Sequence, residues 1–232
     1  RPPSCLMDEA LEVTAVGAGP EWCFACLGSS SVVSWRPLKD EADLAVPERP
    51  RWLGGARILE IACGRDVVLA RTSHYEVFEW QDDIAHATLV ESLVGCPVNR
   101  VAAGDDHRAA CTTTGVVFAW GKNHDGRCGS RKSATLAAPE PVTRRPLHPK
   151  ERYVDVFCAR SGTALVTNRR RLFAARPYPP RLVANFVGKN AVTAVDDVLF
   201  VRRIDGSNSF TIIDPWGSDD DDDDKDDARE KP

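Results

Sequence analysis

No run of about 18 apolar residues occurs in the 232-residue chain, which excludes a membrane-spanning helix. There is no glycine-rich phosphate loop and no nucleophile elbow, so the sequence signals of nucleotide hydrolysis and of serine hydrolases are both missing. Helical periodicity is nearly absent, which argues against a helix bundle. The eight Cys are too sparse for a small disulfide scaffold and read as free thiols of a reducing, intracellular space. Cys23 and Cys26 form a C-x-x-C with no second pair to complete a zinc site, and residues three apart on a strand point to opposite faces. No metal and no cofactor are expected. The first residue is Arg1 rather than Met, so the encoded N-terminus is expected to be missing or removed, and any targeting signal with it. Among mitochondrion, nucleus and cytoplasm, the mitochondrion is the preferred destination.

The sequence is 43% hydrophobic, enough to bury a sizeable core. Its net charge of −4 hides an asymmetry. Residues 219–232 carry eight Asp and one Glu against Lys225, Arg229 and Lys231, giving −6 and leaving +2 for the remainder. Such a tail cannot bury a core. Its run Asp219, Asp220, Asp221, Asp222, Asp223 and Asp224 is a candidate binding element for a basic surface, in this chain or in a partner.

The chain repeats itself. Gly19 is followed 16 residues later by Trp35, Gly64 by Trp80 and Gly104 by Trp120, each Trp closing an apolar run. Two weaker units place Ala159 and Val195 at the Gly position and Ala175 at the fourth Trp position. Short apolar stretches separated by turn residues predict β-strands in meanders. In the third unit these are about 98–103, 107–112 and 116–120, with a fourth at 139–142. Pro-containing segments at 95–98 and 179–183 read as the corresponding segments of other units. Units of 40 to 50 residues with four strands predict an all-β fold, a β-propeller of about five repeats, closed or open. The expected division is an extension over 1–10, repeats over 11–56, 57–97, 98–151, 152–190 and 191–217, and the acidic tail over 218–232.

The third unit, VNRVAAGDDHRAACTTTGVVFAWGKNHDGRCG, resembles the regulator of chromosome condensation repeat, including His107, Gly121, Asn123, Gly126 and Gly129. The resemblance implies that His107 is structural, hydrogen-bonded within its blade, and that the anchor Gly and Trp residues pack blades together. It also implies possible exchange activity on a small GTPase, although no segment matches the wedge hairpin of that activity. The family builds seven blades, and this chain supplies about five.

Asp105, Asp106 and His107 have acid–base chemistry, but no nucleophile recurs beside them. The Trp positions could be read as a stacking platform, yet their equivalence from unit to unit makes them packing residues. Cys26 and Cys111 are equivalent, as are Cys63 and Cys158, which makes them small core hydrophobes. Arg169, Arg170 and Arg171, with Arg202, Arg203 and Arg71 in matching regions, are expected to converge on one end of the propeller. There they would meet RNA, DNA or an acidic protein surface. The function expected is a non-catalytic interaction scaffold within a protein complex.

Overall fold

The computed structural model describes residues 12–19, 22–28, 31–35, 55–81, 86–142, 148–160, 162–176, 180–185, 190–195, 198–203, 210–214 and 216, with the backbone alone over 190–203 and at 210. The extension 1–10 and the tail 218–232 lie outside these residues.

Eighteen strands form five antiparallel meanders in chain order. The first sheet is β1 (Val13–Ala18), β2 (Cys23–Leu27) and β3 (Val32–Trp35), and the second is β4 (Ile58–Cys63), β5 (Val68–Thr72), β6 (Val77–Trp80) and β7 (Thr88–Leu89). The third is β8 (Val98–Ala103), β9 (His107–Thr112), β10 (Val117–Lys122) and β11 (Thr135–Pro141). The fourth is β12 (Tyr153–Cys158), β13 (Thr163–Thr167), β14 (Arg171–Ala174) and β15 (Arg181–Asn185), and the fifth is β16 (Asn190–Val195), β17 (Val198–Arg203) and β18 (Phe210–Ile213). The first strands of successive sheets lie side by side, β1 on β4, β4 on β8, β8 on β12 and β12 on β16. Among the described residues, extensive packing between sheets joins only successive ones, the layout of propeller blades. Strands sandwiched this way must be apolar on both faces: β5 is buried at every position and β13 at all but Val166.

Two local devices recur. In each of the first four sheets the opening strand slips register near its start, between Val13 and Ala15, Ile58 and Glu60, Val98 and Arg100, and Tyr153 and Asp155. Such bulges add local twist. The second device is a return bond. The amides of Gly28, Ser73, Thr113 and Asn168, just past the second strand, donate to the carbonyls of Glu12, Arg57, Pro97 and Arg152, just before the first, at 2.7–3.0 Å. Each of these four blades is thereby stapled at its hairpin end, where the second strand turns into the third.

The opposite, anchor end explains the repeat's glycines. A Cβ built on Gly19 would lie 2.8 Å from the Gly64 carbonyl oxygen, one on Gly64 would run into the Gly104 carbonyl, and one on Gly104 would lie 2.9 Å from that of Ala159. Three glycines therefore let four blades step main chain on main chain. The tryptophans pack onto the preceding blade: Trp80 meets Phe24 edge-on at 5.6 Å, and the Trp120 indole N–H donates to the Glu79 carboxylate at 3.0 Å.

Three expectations need correction. The fourth strand of the second blade is Thr88–Leu89, upstream of the Pro-containing 95–98, and that of the third begins at Thr135 rather than 139. Val195 does not take the anchor position, because it ends β16 and pairs with Val198. The third strand of the third blade runs on past Trp120 to Lys122.

Candidate functional site

The sequence pointed to two regions, and they lie at opposite ends of the blades. At the anchor end, the turn before β9 places Asp105 between two neighbouring turns, 2.9 Å from the Arg65 guanidinium and 3.6 Å from that of Arg160. Asp106 accepts from Arg127 at 2.7 Å and pairs with Lys122 at 3.2 Å. Partial burial alone would raise the Asp106 pKa, but those two cations outweigh it and hold the carboxyl below its ordinary range. Arg127 also grips Asp125 at 2.9 Å, and its carbonyl accepts from the Thr163 hydroxyl of the next blade at 2.8 Å.

Asn123 builds the loop that carries Arg127. Its amide donates to the carbonyls of Ser130 and Ser133 at 2.9 and 2.8 Å, and its oxygen accepts from the Cys128 amide at 3.0 Å. Gly126 and Gly129, both at positive φ, close the loop's turns, and Gly121, also at positive φ, lies against the Asp106 carbonyl. A Cβ built on Gly129 would run into Val142 and come within 3.3 Å of Ala175 of the next blade, so the Gly-rich tail of repeat three packs close to the fourth Trp position.

His107 is fully enclosed. Neither ring nitrogen has a well-formed hydrogen-bond partner, which corrects the expected bond within the blade. Instead the ring lies over Gly104 and beside the Gly162 peptide of the next sheet. Burial first, and Arg127 second, push its pKa down to about 4, so the imidazole is neutral at physiological pH. Burial also pushes the thiols of Cys26, Cys63, Cys111 and Cys128 up to about 12. His107, Cys26, Cys111 and Cys128 are thus buried within the blades. Among the described residues no group of three or more His, Cys, Asp or Glu side chains is placed to hold a metal.

The hairpin end is different. The turn over 168–170 presents Arg169 and Arg170 fully to solvent. Arg170 sits at φ 62°, the position that Gly115 fills at φ 83° in the third blade and Tyr75 at φ 64° in the second. The return bond draws 148–152 alongside: the Asn168 side chain donates to the Lys150 carbonyl at 3.1 Å, and Arg169 lies 2.9 Å from His148 Nδ1. His148, Lys150, Arg152, Arg169 and Arg170 thus form one exposed cationic cluster. The carboxylate within it, Glu151, is sealed away, its oxygens taken by Arg171 and, at 2.7 Å, by the Thr167 hydroxyl. The Arg171 contact drives the Glu151 pKa down to about 2.

Two expected members of the patch are spent elsewhere. Arg71 is a buried residue of β5, directly opposite Glu60 in register and paired with it at 3.1 Å. Arg171 is held by Glu151. Arg202 and Arg203 end β17, and their side chains lie outside the described residues, as does the run from Asp219 to Asp224. Sequence reading missed Lys150, Arg152 and His148. It also missed a groove of about 380 Å³ beside the second blade, lined by Tyr75, Val77, Leu93, Val94, Cys96 and Pro97, with Tyr75 50% and Val94 60% exposed.

Comparison with known proteins follows the same blades. Residues 98–127 and 114–166 match the regulator of chromosome condensation (RCC1) repeat. The human probable E3 ubiquitin-protein ligase HERC3 is 29% identical over 154 residues, 59% of this chain and 14% of the ligase. The ultraviolet-B receptor UVR8 of Arabidopsis thaliana is 25% identical over 185 residues, 72% of this chain and 41% of the receptor. The chain therefore spans less than half the length of these relatives. Human WBSCR16 superposes with a TM-score of 0.67 at 16% identity, over 84% of this chain and 60% of that one. Prp20p of Saccharomyces cerevisiae, described with its binding to Gsp1p and histones, superposes at 0.64 and 17% identity, over 89% and 59%. At such identities the likeness is one of fold.

Proposed function

We propose that this chain, which carries regulator of chromosome condensation repeats on a β-propeller of five described blades, is a non-catalytic interaction module: a scaffold or assembly subunit of a larger protein complex. The observation that carries this reading is a division of labour between the two ends. At the anchor end, charged side chains of the strongest repeat are engaged in contacts within its own blade and with the neighbouring blades. At the hairpin end, Tyr75 and Val94 stand exposed over an apolar groove, with the cationic cluster of the fourth blade on the same end. Rigid blades that hold unspent side chains on loops make a surface for recognition rather than a site for chemistry.

The test is purification of the tagged protein from its native cells at low and then high salt, beside a Tyr75→Asn/Val94→Asp variant. A stoichiometric set of proteins that survives salt and is lost from the variant is expected. Accelerated nucleotide release from a small GTPase would instead mark an exchange factor. Recovery of nucleic acid alone, removed by salt, would mark an RNA- or DNA-binding module. Either result overturns the scaffold reading.

A further inference from the structure

We propose that the cationic cluster on the hairpin end of the fourth blade is the docking site of this chain's own acidic run, Asp219 to Asp224. The proposal stands apart from the scaffold reading, since the chain could recruit partners with or without this contact.

The two charge distributions match. Lys150, Arg152, Arg169 and Arg170 are all exposed, and no carboxylate pairs with any of them among the described residues. Glu151 lies in their midst but is already spent on Arg171 and Thr167. The anchor end is also rich in arginine, but each cation of its network already has a carboxylate partner. Asp105 takes Arg65 and Arg160, Asp106 takes Lys122 and Arg127, and Asp125 takes Arg127 and Arg176. An acidic segment therefore finds cations without a carboxylate partner at one end of the blades and cations already paired at the other. Four permanent cations suit the few carboxylates at the end of the run, the part within reach of the cluster. A duplex or single strand, by contrast, usually engages 6–10 phosphates over a larger basic surface.

The chain's path allows the contact. Trp216 packs against Gly162 at the anchor end, which fixes where the tail departs. Gly162 and Arg169 are seven residues apart along β13 and its turn, at most ~23 Å at ~3.3 Å per residue. Asp224 lies eight residues beyond Trp216 and reaches ~26 Å on the same scale. The run can cross the outside of the fourth blade and set its last carboxylates on the cluster. Tethering supplies an effective concentration in the millimolar range, so that weak, salt-screened ion pairs suffice.

Lys150 makes the contact directly readable. Zero-length carbodiimide coupling of the full chain, followed by peptide mass spectrometry, is expected to link the Lys150 amine to a carboxylate of 219–224. The yield is expected to fall several-fold at 0.5 M salt (about 4 Å screening length). It should fall likewise in an Arg152→Ser/Arg169→Ser/Arg170→Asn variant, Asn being chosen because it tolerates positive φ. A thermal melt shows whether that variant is folded. A second variant, with 219–224 changed to Asn, leaves the blades untouched and should bind a fluorescent single-stranded oligonucleotide about tenfold more tightly than the parent. Links from the acidic run only to Lys122 or between chains overturn the proposal. So does coupling unchanged by the arginine substitutions, or oligonucleotide binding indifferent to the tail.

Discussion

The stepping of main chain on main chain at the anchor end makes a demand that one methyl group tests. In Gly64→Ala the new carbon must share space with the Gly104 carbonyl. That carbonyl cannot swing aside as a flexible side chain would, because its own turn is closed by the Gly104 amide donating to His107 at 2.9 Å. Overpacking of this kind costs ~1–3 kcal/mol. Alanine also lowers the entropy of the unfolded chain, which returns ~0.4–1 kcal/mol. The net expectation is destabilisation by about 2 kcal/mol, or about 4–8 °C in Tm for a chain of this size. Gly28→Ala is the matched control. Its nearest neighbour is the end of the Glu12 side chain at 3.0 Å, which can move, so its effect should stay within ~0.5 kcal/mol. Urea denaturation of both variants, followed by tryptophan emission, separates them. Coincident midpoints for Gly64→Ala and the parent would refute the reasoning about the anchor glycines.

Four further outcomes follow from the same contacts. His107 titrates near 4 when folded and near 6.5 when unfolded, so between those values the unfolded chain binds the extra proton. Stability present above pH 6.5 is then lost on acidification, by about 3 kcal/mol at pH 4, a slope that His107→Gln should flatten in pH-dependent melts. Glu151, whose folded pKa is about 2, contributes stability above pH 4.5 that is lost as the pH falls toward 2. Glu151→Gln should therefore cost about 2 kcal/mol at pH 7 and converge with the parent in acid. Asn123→Ala removes two donors and one acceptor and should cost about 2–3 kcal/mol, with faster hydrogen exchange confined to 123–134. In the native chain at pH 8, a thiol reagent should label Cys96 well before Cys26, Cys111 and Cys128; equal rates would contradict their burial.

The blades were legible wherever the sequence kept its own punctuation. Gly104 to Trp120 announces two turns and three strands, and β8 and β9 span 98–103 and 107–112 as that punctuation predicts. Legibility failed where one repeat answers to another. Ala175 looks like decay until Gly129 of the preceding repeat is seen to approach it closely. Arg71 looks like turn charge until the bulge in β4 brings Glu60 opposite it. Lys150 and Arg152 sit in a Pro-rich connection that carries no repeat signal. Only the return bond, which places the residue before the first strand beside the hairpin, could have joined them to Arg169 and Arg170.

The glycine steps have a mechanical consequence. Where backbone rests on backbone there is no rotamer to absorb a displacement, so Gly19, Gly64, Gly104 and Ala159 form an incompressible rim. At the hairpin end Gly115 of the third blade faces the Arg152 stem of the fourth. A push on one of the four blades joined at the rim therefore passes from main chain to main chain into the next.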